Sequence, residues 1–398
     1  MSDTQSPASQ TQSSPHQMAV VLASAPFVFL SFSLPVYASD LGLGAVQLGM
    51  MYTAFTGTML VLRPVIGWCL DRFGRRWFFT VAFVFYVAAM LAFAQGLDFW
   101  GLMFARMLQG VGASLMWVSV RTIIADTTTT GARGEAMGRL EAGSVRGSMI
   151  GAAWGFTLLG FMPMVDAWRI GFLGYAAIAL FALLWSTLKV RETHHVPKSL
   201  PPLHLNAAMV RVFIIVFLSA FAGALIEPIY LLFLREKFEL HPLLLAWAFL
   251  PAGLVFAFVP TYAGRWADRV GRRRVIVLGF VVAGLVSMAL PWWPHILFIS
   301  ATYVLSAVGW AMASPAEEAL VADLATPEAR GRVIGAKEAA VGVGAALGPL
   351  VGGAVYQYAS PHATFVANGV LMLCAAGLAL YWLPRRQASH PVPPVDQS

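Results

Sequence analysis

Twelve stretches of this chain are apolar for about 20 residues each, the length a helix needs to cross a hydrocarbon core of roughly 30 Å. They fall at 19–38, 46–68, 77–95, 100–122, 138–160, 167–188, 209–234, 243–264, 274–291, 295–316, 335–357 and 362–383. In lipid a backbone must satisfy its own N–H and C=O groups, and a continuous helix does so within one segment. The expected fold is an all-α membrane protein with twelve transmembrane helices, numbered helix 1 to helix 12 in chain order. Composition agrees, because 59% of the 398 residues are hydrophobic and 11% charged, more apolar surface than one soluble core hides.

The polar segments divide the chain. Residues 1–17 lack apolar periodicity, a basic n-region and a cleavage motif, and read as a disordered cytosolic tail with no secretory signal. An N-terminal six-helix bundle at 18–188 and a C-terminal one at 209–384 flank a cytosolic linker at 189–208, and a Pro-rich disordered cytosolic tail covers 385–398. With both termini inside, the cytosolic ends collect Arg72, Arg75, Arg76, Arg139, Lys189, Arg269, Arg272, Arg273, Arg274, Arg385 and Arg386 among others. The opposite loops hold Arg169, Arg235 and Lys237. That asymmetry follows the positive-inside rule and accounts for the net charge of +7 as topology, so no nucleic-acid partner is implied. Cys69 and Cys374 are too few and too separated for a disulfide or metal framework, and free thiols are expected.

One polar turn has a twin. "GWCLDRFGRR" begins at Gly67 and "GRWADRVGRRR" at Gly264; a shift of 197 residues superposes Gly67 on Gly264, Asp71 on Asp268, Arg72 on Arg269, Gly74 on Gly271 and Arg75 on Arg272. The same shift maps Asp126 onto Asp323, the "ARG" at 132–134 onto that at 329–331, Gly138 onto Gly335 and Glu141 onto Glu338. Two six-helix halves with the same in/out direction, related by an axis normal to the membrane, produce such a repeat.

These residues resemble the major facilitator superfamily of secondary transporters, over nearly the whole chain between the tails. The pattern Gly67-x3-Asp71-Arg72-x-Gly74-x-Arg76 is similar to that superfamily's loop between helices 2 and 3, and it recurs between helices 8 and 9. Arg106-x2-Gln109-Gly110 on helix 4 is similar to a motif found in many proton-coupled members, and the nearest likeness is to twelve-helix drug:proton antiporters. The chain departs from them on helix 5. There it reads "GSVRGSMIGAAWG", while "GPLVGG" falls on helix 11, which weakens drug export as a reading.

The resemblance implies a conformational latch. Asp71 would lie by the start of helix 11, whose N-terminus carries about half a positive charge. Arg75 would reach Asp126 at the end of helix 4, and Asp268, Arg272 and Asp323 would repeat the arrangement against helix 5, stabilising the outward-facing state. Gly67 and Gly74 let the backbone turn tightly. Gly143, Gly147, Gly151 and Gly155 on helix 5, and Gly344, Gly348 and Gly352 on helix 11, recur every four residues and form smooth stripes for close helix packing and sliding.

Charges in mid-membrane are the candidate functional groups, since burying one costs a few kcal/mol. Glu227, followed by Pro228 near the middle of helix 7, can load and release a proton or bind a cation, or else serve as the structural partner of an arginine. Arg106 and Gln109 lie on helix 4. Arg146 on helix 5 either pairs with Glu141 or faces the cavity and holds a carboxylate or phosphate through its planar fork. Arg121, near the cytosolic end of helix 4, snorkels; Glu317 and Glu318 follow Pro315 on helix 10 near the cytosolic mouth, where one of them is expected to pair with Arg121 or a loop arginine and the three to form a gate. Tyr37, Tyr52, Trp117, Trp154, Tyr230 and Trp310 are candidates to line an amphipathic cavity, with Asn368 as a polar handle.

There is no Gly-rich phosphate loop, G-x-S-x-G elbow or zinc motif, and no enzyme, cofactor or metal site is expected. The reading is a secondary transporter working by alternating access, exporting amphipathic small molecules in exchange for protons from a bacterial inner membrane, as a monomer. A transporter of an anionic metabolite, with Arg106 and Arg146 as its ligands, is the second reading. A lipid flippase or a transport-inactive scaffold is the third.

Overall fold

The structure, a computed structural model, describes residues 15–96, 98–128, 133–193, 206–238, 240–324 and 330–383. The expected tail at 385–398, most of the tail at 1–17 and most of the linker lie outside the described residues. Among those described the chain is helical nearly throughout. The helices are α1 (Pro15–Ala23), α2 (Phe27–Asp40), α3 (Ala45–Phe73), α4 (Arg76–Gln95), α5 (Phe99–Thr127), α6 (Arg133–Phe161), α7 (Met164–Lys189), α8 (Ala207–Phe238), α9 (Pro242–Val270), α10 (Arg272–Ala289), α11 (Ile296–Asp323), α12 (Arg330–Tyr358) and α13 (Pro361–Trp382).

Together α1 and α2 make the first span; α3 to α13 are helices 2 to 12. Pro26, which has no N–H to give, sits at the break between α1 and α2, and the helix begins three residues inside the segment expected to be a tail. Eleven spans are long and apolar enough to cross a membrane. The twelfth, α6, is 29 residues long but carries Glu135, Arg139, Glu141 and Arg146. The protein is therefore an all-α, multi-pass membrane protein of two six-helix halves.

The repeat is visible in the packing. In the first half α4 lies against α5 and α7; in the second, α10 lies against α11 and α13, the corresponding helices. Gly74 and Gly271, at equivalent positions, adopt φ of 93° and 95°, a left-handed conformation that side chains other than hydrogen resist. Each ends a helix and lets the next start at once. Asp98 caps α5 by accepting from the Gly101 N–H at 2.8 Å, and Ser360 caps α13 from Ala363 at 3.0 Å.

Lipid tails are as apolar as leucine, so packing and hydrogen bonds, more than hydrophobic burial, hold such helices together. In the first half Trp168 stacks on Tyr37 with centroids 4.2 Å apart, and its indole N–H donates to the Phe93 carbonyl. Tyr37, expected on a cavity wall, is thus buried in this aromatic core with Phe29, Phe93 and Phe172, and its hydroxyl donates to the Gly96 carbonyl. In the second half Phe280 and Met372 belong to a core drawn from α8 through α13.

The glycine stripes mark close helix crossings. On α6, a Cβ at Gly147 would strike the Val21 backbone, at Gly151 the Ala25 backbone and at Gly155 the Phe29 ring. On α12, one at Gly344 would meet the Phe217 carbonyl at 2.8 Å, and one at Gly352 would strike the Leu225 carbonyl. The 197-residue shift superposes Gly147, Gly151 and Gly155 on Gly344, Gly348 and Gly352, so α6 on the first span and α12 on α8 are one crossing made twice.

By contacts the chain divides into two compact units that do not coincide with the sequence halves. The first comprises Met1–Pro201, Ala224–Trp247 and Ala345–Ala359; the second comprises Pro202–Gly223, Ala248–Gly344 and Ser360–Ser398. The later parts of α8 and α12 therefore belong with the first six helices.

Candidate functional site

In the first unit α5 carries Arg106, 5% exposed, inside a membrane span. Its Nη1 donates to Gln109 Oε1 at 3.0 Å, a pairing that the three-residue spacing on one helix face permits. The guanidinium lies 4.4 Å from the Tyr52 ring centroid and 5.0 Å from that of Phe55, both on α3. Two aromatic faces give a desolvated cation partial compensation. Arginine has five N–H donors, and Arg106 Nε is buried with no hydrogen bond among the described residues. This guanidinium keeps donor capacity in reserve.

Glu227 on α8 belongs to the same unit. It is exposed, and the described residues give it neither a hydrogen bond nor an ion pair, yet the Arg106 and Glu227 charges act on each other. Pro228 follows directly, and a proline inside a helix removes one backbone bond and bends the axis. The arrangement places a carboxyl in a span, unclaimed by a close partner, within the field of a buried arginine. It can take a proton or the positive group of a solute.

The charged turns lie elsewhere. Arg75, 2% exposed, places Nε 3.0 Å from Asp126 Oδ2 and donates from Nη1 to the Leu70 carbonyl at 2.9 Å. Asp71 lies 3.8 Å from Arg75 Nη2 and is 55% exposed at its side chain. In the twin turn Arg272 pairs with Asp323, lies 3.9 Å from Asp268 and donates to the Ala319 carbonyl. Sequence reasoning missed Glu192, just past α7, whose carboxylate accepts from the Arg75 N–H at 2.8 Å and the Arg76 N–H at 3.2 Å. Its only signal was an acid beside the basic linker.

Because Arg75 is buried and Asp126 is only 17% exposed at its side chain, Asp126→Asn is expected to lower the stability of the purified protein by about 2 kcal/mol, somewhat under the scale for breaking a fully buried pair on one side. Asp323→Asn should cost less, since Asp323 and Arg272 are 43% and 20% exposed. Paired thermal melts check the order; equal losses would contradict it.

Several candidates find other partners. Glu141 pairs with Arg121 at 3.2 Å and not with Arg146, and Arg121 also lies 5.5 Å from the Trp117 ring centroid. Arg146 is exposed on α6. The Trp154 indole lies against Gly174 of α7, where the missing side chain leaves room for a ring. Asn368, the expected polar handle, is 2% exposed and donates to the Ala222 carbonyl at 2.6 Å, tying α13 to α8. Glu318 lies 3.6 Å from Lys337, and Glu317 is buried beside Ser219.

Sequence reasoning also missed a seam within the first unit. Pro349 has no N–H for the Ala345 carbonyl one turn earlier; Thr56 Oγ1 lies 3.1 Å from that oxygen and 3.0 Å from the Tyr52 carbonyl of its own helix, so its one hydrogen is shared between them, and Thr53 Oγ1 donates to Ala346 at 2.7 Å. A Cβ at Gly49 would strike the Pro349 carbonyl, and one at Gly353 the Ala45 carbonyl. Nearby, Arg235 pairs with Asp40 at 2.9 Å and Tyr356 donates to Glu236 at 2.6 Å. The signal was Pro349 itself, whose freed carbonyl requires an outside donor.

Two homologous six-helix halves, with charges held inside the spans and twin charged turns, define a membrane carrier of small solutes. A profile of the Major Facilitator Superfamily matches residues 18–208 and again 212–397, and the chain belongs to that family of transporters. It is 25% identical over 390 residues to Multidrug resistance protein 2 of Bacillus subtilis (strain 168), covering 92% of this chain and 95% of that one. It is 24% identical over 350 residues to the quinolone resistance protein NorA of Staphylococcus aureus (strain COL), covering 85% and 88%. Among solved structures, a bacterial homologue of the human lysosomal transporter Spinster, in an inward-facing and occupied conformation, aligns with a TM-score of 0.77 at 15% identity, over 92% of this chain and 95% of that one. The human organic anion transporter MFSD10 aligns at 0.67 and 18% identity, over 92% and 98%. These structural likenesses bear on the fold alone.

Proposed function

We propose that this transporter exports amphipathic small molecules in exchange for protons by alternating access, with Glu227 as the proton carrier and Arg106 as the fixed charge it works against. One observation carries the reading: a carboxyl with no hydrogen bond or ion pair among the described residues lies in a membrane span, in the field of a buried arginine. A proton entering Glu227 neutralises it; a cationic solute competes for the same carboxylate. The multidrug and quinolone resistance names of the relatives support a broad amphipathic substrate class. The excess of basic residues beside the twin turns supports a cytosolic position for both termini, and the bacterial relatives support an inner membrane. The Asp71, Arg75, Asp126 cluster and its twin act there as latches on the closed cytosolic side.

A second reading rests on the spare donors of Arg106 and the exposed Arg146, which suit an anionic metabolite. Inverted vesicles holding a pH gradient, challenged with lipophilic cations and with organic anions, separate the two. Collapse of the gradient by cations is expected. A response confined to anions moves the assignment to the arginines.

A further inference from the structure

The second unit holds a titratable cluster that the Glu227 site does not use. On α11, two residues past Pro315, Glu317 is 8% exposed, and its Oε1 lies 3.3 Å from Ser219 Oγ on α8. The same Ser219 hydroxyl lies 3.0 Å from the Val216 carbonyl. A hydroxyl carries one hydrogen, so Ser219 serves only one of these acceptors at a time. With Glu317 ionised, the hydrogen goes to the carboxylate. With Glu317 protonated, the carboxylic O–H donates to Ser219 Oγ, and the serine hydrogen returns to Val216. Both arrangements fit the same heavy-atom positions.

The neighbouring charges favour such a site. From α12, Lys337 places Nζ 3.0 Å from Glu338 Oε1 and 3.6 Å from Glu318 Oε1, and its charge also reaches Glu317. From α11, Glu318 adds a like charge, and α8 presents the uncharged Ser219. One ammonium thus faces three carboxylates. Glu318 and Glu338 are the more open, at 66% and 33% side-chain exposure, while Glu317 is the member shut away from water. A proton on the buried member relieves the repulsion and leaves Lys337 to the other two.

We propose that Glu317 is a second proton site of the transport cycle, contained within the second unit, with Ser219 as the hydroxyl that changes partner as the proton arrives and leaves. Its place in the cycle rests on the proton-coupled reading above; its protonation does not. Infrared difference spectroscopy of the full chain in lipid, stepped between acid and alkaline buffer, tests it. In a Glu227→Gln background a carboxylic C=O band is expected to titrate, to disappear in Glu317→Gln and to shift in Ser219→Ala, which removes the acceptor of the acid O–H. A spectrum unchanged by Glu317→Gln overturns the proposal. Should that variant fail to fold, an unmoved band in Ser219→Ala overturns it equally. If the band behaves as expected while transport ignores a proton gradient, Glu317 titrates but its role in transport is overturned. If the band is missing while transport still depends on Glu227, the proton-coupled reading stands and this one falls.

Discussion

Glu227→Gln is expected to abolish gradient-driven transport while leaving the folded bundle intact. The amide has nearly the shape of the carboxyl it replaces, and the described residues give Glu227 no hydrogen bond or ion pair to lose. Stability should therefore change modestly, by about 1 kcal/mol, the part lost being the attraction between the Glu227 charge and Arg106. Function should not survive, because an amide neither takes nor gives up a proton and no longer offers a negative charge to a cation. Glu227→Asp keeps the charge on a shorter arm and should retain part of the activity. Transport by Glu227→Gln at the wild-type rate would make the carboxylate a structural partner of Arg106.

Gly151→Ala is expected to destabilise the protein by about 3 kcal/mol or more for the sake of one methyl group. At this α6 position the new Cβ would strike the backbone of Ala25, which cannot swing aside as a side chain does. Overpacking commonly costs about 1–3 kcal/mol, and a backbone obstacle puts this site at or above the upper end. Gly143→Ala meets only Val21 Cγ2 at 3.1 Å and should be milder. Gly377→Ala on α13 meets nothing within 4 Å and should be neutral, or stabilising by about 0.5–1 kcal/mol through helix propensity. Thermal melts of the three purified variants give the order. Equal melting temperatures for Gly151→Ala and Gly377→Ala would show that α6 does not approach the first span this closely.

The spans and the two-half repeat were legible because both leave long, regular marks: apolar runs matched to bilayer thickness, and Asp, Gly and Arg recurring at one fixed shift. The family resemblance implied the ion pair of Arg75 with Asp126, and the fixed shift carried it to Arg272 and Asp323. Position around a helix was harder to read. Lipid, helix interface and cavity wall are all apolar, so nothing in the sequence separated Tyr37, stacked on Trp168, or Trp154, seated on Gly174, from a residue lining a cavity. Asn368 looked like a substrate handle and is bound to the Ala222 carbonyl, because a buried amide is satisfied by the nearest backbone as readily as by a solute. The Thr53 and Thr56 bonds to α12 join residues nearly 300 positions apart, and only the missing N–H of Pro349 hinted at them.

The most direct test of the account is proton release from the purified transporter in weak buffer, followed with a pH indicator as a lipophilic cation is added. Exchange at Glu227 predicts that wild type releases protons in proportion to the cation bound, and that Glu227→Gln releases fewer by the share that Glu227 carries. Cation binding with the same release from both proteins, or with none from either, would contradict Glu227 as the coupling carboxyl.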